Sequence, residues 1–280
     1  MNEIKCICGE SSELRRLSSL TVPGFGKKSL WECSACGLIQ FFPRPFDDKS
    51  ATSFYQQPDY MPRIQEKEYF GYFKAIETHL LSKINLNFNV KILDFGAGYC
   101  WYQKFFLSEG YQEVHSLEIN EYLAGFGRDQ LKLNNIHTSS KTIPQSHFDV
   151  VISNQVFEHL SNPLKTLNEE ILPFLKPGGC ICISVPNWNS WNRPILRKRW
   201  LGYSPEDHIW FFTKRAIKKV FSNNSRLELL DISVYAAAGR RYDGFVPRNL
   251  IKKLYYFTFW IFFERIRRGE QLIFILRKKA

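Results

Sequence analysis

From residue 90 onward the chain alternates short apolar runs with longer amphipathic stretches. Val90–Leu93, Val114–Leu117, Phe148–Ile152, Ile181–Val185, Leu227–Tyr235 and Leu272–Leu276 read as strands. Residues 101–109, 121–133, Pro163–Leu175 and 214–222 read as the helices between them. Strands that are apolar throughout, rather than on every second residue, are buried on both faces. They imply a mostly parallel sheet with helices on each side. The pattern therefore predicts an α/β, doubly wound sheet over residues 89–280. The 280-residue length supports a buried core without help from disulfides.

The segment before residue 90 has a different character. Cys6 and Cys8 precede Gly9, and Cys33 and Cys36 precede Gly37, so four of the seven cysteines fall in the first 36 residues. Two close pairs separated by a loop suit a tetrahedral zinc ion. The first pair is one residue tighter than the usual C-x-x-C knuckle. A four-thiolate site leaves no open coordination position, so the expected zinc is structural. Residues 1–45 are read as this module. Residues 46–88 are a linker plus an amphipathic helix covering the cofactor site, with Tyr69, Phe73, Ile76 and Leu80 recurring every three or four positions and Ile64 five residues before them. Cys180 and Cys182 share one face of a strand and read as core.

The first strand runs into Asp94-Phe95-Gly96-Ala97-Gly98-Tyr99-Cys100. Two glycines at the carboxyl end of a strand let the backbone turn tightly and approach a ligand, with a helix N-terminus beyond. The next strand ends at Glu118-Ile119, where a carboxylate can accept both hydroxyls of a ribose. Together these imply an adenosine-type cofactor at the switch point of the sheet. A dinucleotide loop wants glycine three residues after Gly98. The chain has Trp101 there, which disfavours NAD.

The loop resembles the Asp-x-Gly-x-Gly-x-Gly signature of class I S-adenosylmethionine-dependent methyltransferases, with Cys100 in place of the third glycine. The resemblance continues through Phe148–Asn154, Glu158-His159-Leu160, the Lys176-Pro177-Gly178-Gly179 turn and His208–Thr213. The last of these is similar to a segment found in a subgroup with an N-terminal zinc-ribbon-like cysteine cluster. The resemblance implies a Rossmann-like, seven-stranded, mostly parallel sheet with a small cysteine-rich zinc-ribbon-like module. It also implies S-adenosyl-L-methionine as cofactor. Asp94, Gly96 and Gly98 would then surround its methionine portion, Glu118 would hold its ribose and Asn154 would reach the methionine end, with Ala97 and Ile119 also binding the cofactor. No carboxylate in Ser139–Pro144 is available for the adenine amino group.

Methyl transfer to a hydroxyl also needs a proton acceptor. His208 and His159 are the candidates, because imidazole titrates near neutral pH. Related enzymes with a catalytic metal carry a carboxylate three residues before Glu158. Here that residue is Gln155. The chain lacks the Asn/Asp-Pro-Pro-Tyr/Phe motif of enzymes that methylate base amino groups. Oxygen is therefore the expected nucleophile, carbon the next, on a small molecule or saccharide.

Charge is uneven: residues 191–280 hold 20 basic and 7 acidic side chains, against 18 and 20 before them. A basic third can attract an anionic or lipid-linked acceptor, RNA or a membrane surface, or be a solvated face. RNA methylation and a non-catalytic cofactor-binding module remain the alternatives. The aromatic run Leu254–Phe263 lies between basic residues. It could rest on a membrane but is about half the length of a spanning helix. With no apolar leader visible, a cytoplasmic location is expected.

Overall fold

The computed structural model describes residues 5–9, 13–22, 26–44, 55, 70–84, 87–200, 202–235 and 269–279. Among the described residues, eleven strands form two sheets. The larger has the order β10-β11-β8-β7-β4-β5-β6. Its members are β4 (Lys91–Phe95), β5 (Glu113–Leu117), β6 (Ile136–His137), β7 (Phe148–Asn154), β8 (Leu175–Pro186), β10 (Leu227–Tyr235) and β11 (Gln271–Lys278). The five strands from β8 to β6 run parallel, and β11 lies antiparallel between β8 and β10. This is the expected α/β, Rossmann-like sheet, and its strand order reverses between β4 and β7.

The two faces of this sheet are covered by different helices, and the strand sequences show why. Alternate residues of β8 point to opposite faces: Cys180 and Cys182 join one core cluster, Ile181 and Ile183 the other. The Cys180 side carries α1 (Phe70–Leu81) and α2 (Trp101–Ser108) through Phe73, Ile76, Leu80, Phe105 and Phe106. α3 (Glu121–Asp129) starts on Asn120, whose side-chain oxygen accepts from Tyr122 N and Leu123 N at 2.9 and 3.2 Å. The Ile181 side carries α4 (Pro163–Thr166), which runs on through a π-helical segment Leu167–Ile171 and a last turn Leu172–Phe174, together with α5 (Lys214–Ser222). Residues 64–69 of the expected first helix and the aromatic run Leu254–Phe263 lie outside the described residues.

The smaller sheet is antiparallel, in the order β1 (Leu14–Val22), β2 (Gly26–Cys33), β3 (Ile39–Phe42), β9 (Trp210–Phe211). Its fourth strand comes from far along the chain, with Gln40 paired to Trp210 and Ile39 to Phe211. Sequence periodicity does not mark these strands: β1 is an edge strand with most of its side chains exposed, and β9 has two residues. Cys33, Cys36 and Leu38 pack in the same core cluster as Leu93, Val151 and Ile183, so the two sheets share an apolar interior.

Trp210 joins these parts. Its ring is fully buried, its indole Nε1–H donates to the Leu160 carbonyl at 2.7 Å, and the Arg44 guanidinium lies 4.9 Å from the ring centre. Trp210→Ala is expected to lower the unfolding free energy by about 3–5 kcal/mol. Chemical denaturation with coincident far-UV circular dichroism and tryptophan fluorescence checks this.

Candidate functional site

The cavity that concerns chemistry opens at the carboxyl ends of β4, β5 and β7, where the strand order reverses. It encloses about 560 Å³. Its floor is Asp94 to Tyr99, followed by Trp101. One wall is Leu117, Glu118, Ile119 and Leu123. The other is Asn154, Gln155, Val156 and His159 to Asn162. Tyr55, Phe73 and Tyr102 add an aromatic side, and Lys165, Thr166 and Glu170 complete the rim.

Backbone geometry explains the glycines of the floor. Gly96 has φ +78°, and a Cβ there would stand 2.6 Å from Val156 Cγ2. Gly98 has φ +54°. The Leu117 carbonyl accepts from both Gly96 N at 2.9 Å and Ala97 N at 3.0 Å, which pins the turn to the end of β5. Cys100 replaces the third glycine in the same left-handed region, at φ +61°, and caps α2 with its thiol buried. An L-residue there costs on the order of 1–2 kcal/mol. The thiol recovers packing: a Cβ on Gly127 of α3 would meet Cys100 Sγ at 2.9 Å, so sulfur and glycine fit each other.

The expected cofactor residues are brought together. Glu118 sits at the end of β5, with Oε2 accepting from Gly98 N at 2.6 Å and Oε1 from Asn120 N at 2.8 Å. Burial pushes its carboxyl up to about 7, opposed by these backbone N–H groups. Each oxygen keeps a second lone pair for a ribose hydroxyl. Asp94 is 2% exposed, and its Oδ2 has no hydrogen-bond partner. Burial, with a smaller contribution from Glu118, pushes it up to about 8. An orphaned buried carboxyl oxygen at the cavity floor fits a cationic ligand such as the ammonium of S-adenosylmethionine. Asn154 stands at the tip of β7, where its Oδ1 accepts from Ser184 Oγ–H. Ser140 is the one residue of Ser139–Pro144 among the lining residues.

The two histidines are placed differently. His159 lines the cavity, with Nδ1 3.2 Å from the Asp207 carbonyl and 3.7 Å from Asp207 Oδ2. Its ring meets His208 edge-on at 4.6 Å and Tyr55 at 5.7 Å. His208 is not among the lining residues. It is buried, and its Nδ1 lies 3.0 Å from the Gly202 carbonyl. Burial, then the neighbouring His159, lowers it to about 4, so this ring is neutral near pH 7. Asp207 is held below its ordinary value: burial raises it, but His159 and His208 outweigh that.

Glu158, next to His159 in the chain, is not among the lining residues. Its carboxylate is fully buried without a hydrogen-bond partner and is pushed up to about 7 by burial. Tyr55 and Phe73 belong to the stretch 46–88 expected to cover the site, whereas Tyr102 carries no sequence signal that separates a cavity wall from ordinary core.

The four N-terminal cysteines converge. Cys6 and Cys36 sulfurs are 3.5 Å apart, Cys8 and Cys33 sulfurs 3.7 Å, and all four lie within 4.8 Å of one another. A tetrahedral ion with Zn–S bonds of about 2.3 Å places its sulfurs about 3.8 Å apart. The cluster fits such an ion, and none of the four is in a disulfide. The tight Cys6-x-Cys8 pair is accommodated because each of its thiols faces one from the Cys33/Cys36 pair.

Comparison with known proteins agrees with this geometry. The methyltransferase domain family matches residues 35–225. The phosphoethanolamine N-methyltransferase of Plasmodium falciparum (isolate 3D7) is 30% identical over 165 residues, which is 52% of this chain and 60% of that protein. The chain thus spans about three fifths of that relative. Two solved structures share the fold. One is a Galdieria sulphuraria protein provisionally assigned as a sarcosine dimethylglycine methyltransferase, at 18% identity and TM-score 0.50, covering 82% of this chain and 98% of that one. The other belongs to the complex of the Haloferax volcanii Trm112 methyltransferase activator with a provisionally assigned methyltransferase, at 15% identity and TM-score 0.52, covering 78% and 100%. The chain belongs to the methyltransferase domain family and has the class I methyltransferase fold.

Proposed function

We propose that the chain methylates a hydroxyl oxygen of a small-molecule or saccharide acceptor, with His159 as the proton acceptor. The observation that carries this reading is the His159 ring in the cavity wall. Its Nδ1–H is committed to the Asp207 carbonyl, so Nε2 presents a lone pair. S-adenosylmethionine supplies an already electrophilic methyl carbon. The protein's part is to align the acceptor oxygen with that carbon and to take its proton. Asp94, Gly96, Ala97, Gly98, Glu118, Ile119 and Asn154 would hold the cofactor. His208, neutral and edge-on to His159, and Asp207 behind it, would keep the basic ring in place.

A second reading rests on Lys165. This exposed cation on the rim, together with the 30% identical phosphoethanolamine N-methyltransferase, supports an amine acceptor carrying a phosphate. Methyl incorporation from labelled S-adenosylmethionine into a panel of hydroxylated saccharides and phosphoethanolamine separates the two. Incorporation only into the amine would displace the hydroxyl reading.

His159→Ala is expected to lower kcat by roughly 10²–10⁴-fold. S-adenosylhomocysteine should still raise the melting temperature of the variant, because the proposal gives His159 to the acceptor rather than to the cofactor. Loss of that thermal shift would assign the residue to cofactor binding instead.

The cofactor should bind with a pH dependence set by Asp94. In the free protein this carboxyl holds its proton below about pH 8, and a bound cation favours the ionised form. Affinity for S-adenosylmethionine is expected to weaken toward roughly tenfold per pH unit below that value. Calorimetry in two buffers of different ionisation enthalpy should show proton release near pH 7. Asp94→Asn should flatten the profile.

The structural zinc is part of the same proposal, held by Cys6, Cys8, Cys33 and Cys36. Cys33→Ser is expected to retain one zinc fewer per chain than the parent by elemental analysis, with a lower melting temperature. An unchanged metal count would exclude the cluster as a zinc site.

A further inference from the structure

Toward the amino-terminal ends of β5 and β7, away from the cofactor cavity, Glu113, His115 and His147 gather on one face, and His137 of β6 adjoins them. Glu113 and His115 project from β5 with one residue between them, so they share a face. His137 follows on β6, where its position pairs with Leu117 of β5. His147 immediately precedes β7, and its backbone N–H is fixed by the Phe174 carbonyl at 2.9 Å. The fully buried Phe148 ring forms an apolar floor, 5.1 Å from the His115 ring and 5.0 Å from the His147 ring. One ligand atom each from Glu113, His115 and His147 lies within 4.8 Å of the others.

Protons can be assigned along a chain of hydrogen bonds leading into this group. The Thr142 hydroxyl donates to the Ser139 carbonyl at 2.8 Å. Its oxygen therefore accepts, at 2.9 Å, from His137 Nδ1–H. With neutral rings, His137 Nε2 then accepts from His115 Nδ1–H at 3.0 Å. This leaves His115 Nε2 with a lone pair, 3.7 Å from the Glu113 carboxylate oxygen Oε1. His147 Nε2 faces the same Oε1. Two ring nitrogens converge on one carboxylate, and at least one of them brings no proton. A cation between them relieves that arrangement. The Lys91 ammonium does so in part, 3.0 Å from Glu113 Oε2 and 3.4 Å from His147 Nε2, but it makes no contact with His115.

We propose that Glu113, His115 and His147 form a binding site for a divalent transition metal ion of the zinc class, with His137 and Thr142 orienting His115. Two imidazoles and a carboxylate suit zinc and its borderline neighbours rather than magnesium or calcium. A ligating imidazole whose second nitrogen donates to a fixed acceptor is the usual support for such an ion. The His115–His137–Thr142–Ser139 series provides that support before any ion arrives. The site ties β5 to the entry of β7 across β4. It uses no residue of the cofactor cavity and no cysteine.

The test is a zinc titration of the full chain against a competing chromophoric chelator, with elemental analysis after desalting. Four proteins are compared: the parent, His147→Gln, His137→Phe and Lys91→Met. His147→Gln should bind one zinc fewer than the parent, whatever the cysteine cluster holds. It should still show a thermal shift with S-adenosylhomocysteine, which reports folding. His137→Phe removes no ligand and should weaken zinc at this site by roughly 10–100-fold. Lys91→Met removes the competing ammonium and should tighten it, a gain that misfolding cannot imitate. Equal stoichiometry and affinity in the parent, His147→Gln and Lys91→Met would overturn the proposal and assign the group to a proton shared among Glu113 and the histidines.

Discussion

Much of this molecule follows from one carbonyl and one carboxylate at the end of β5. The Leu117 carbonyl holds the N–H groups of Gly96 and Ala97, and Glu118 holds those of Gly98 and Asn120. The turn after β4 is thereby fastened to its neighbour strand in a conformation that places alternate residues, Gly96, Gly98 and Cys100, in the left-handed region. Without that fastening the loop would lose the local hydrogen bonds that offset its backbone strain. α2 starts from this turn and α3 starts from Asn120, so the same contacts set the origins of two helices. The cavity floor, the position of the Glu118 carboxyl and the packing of Cys100 against Gly127 are consequences of one short stretch of backbone.

The carboxyl groups of the site share a physical character. Asp94, Glu118 and Glu158 are each more than nine-tenths buried, and burial pushes all three toward neutral pH or above. Their surroundings separate them. Glu118 is held by backbone N–H groups that favour its charge, Asp94 has one buried oxygen without a hydrogen-bond partner, and Glu158 has no partner at either oxygen. A ligand carrying positive charge therefore meets a site whose acids are poised to ionise, rather than one that is already fully charged.

The large sheet was legible because its strands are continuous apolar runs, a signal that survives without tertiary information. Phe148–Ile152, Leu227–Tyr235 and Leu272–Leu276 were each placed within about two residues of their observed bounds. The glycine loop was legible because positive φ at Gly96 and Gly98 leaves a mark in residue type. β1 and β9 were not legible: an exposed edge strand shows no alternation, and a two-residue strand has no periodicity at all. His159 and His208 looked equivalent along the sequence. Only the fold decides which ring faces the cavity. Glu113, His115, His137 and His147 escaped notice because their spacings match no ligand motif, and parallel pairing alone brings them to one edge.

The β3–β9 pairing bears on how this chain can be divided. Two residues from the catalytic body complete a sheet whose other strands come from the first 42 residues, and Phe41 and Phe211 pack edge to face at 5.2 Å between them. On the same side Lys28 of β2 reaches through the interior to donate to the Pro205 carbonyl at 2.6 Å, beside the loop that carries Asp207. A truncation made at the first residue of the glycine-loop strand would not release an independent enzyme. It would uncover Trp210, Phe211 and Ile209 and unseat the loop behind His159. Exchanging the N-terminal region with that of a relative would succeed only if the donor carried a matching pair of residues at the β9 position. The cysteine-bearing region and the body that carries the cavity are thus joined by strand pairing and a shared core, despite the distance between their parts in the chain.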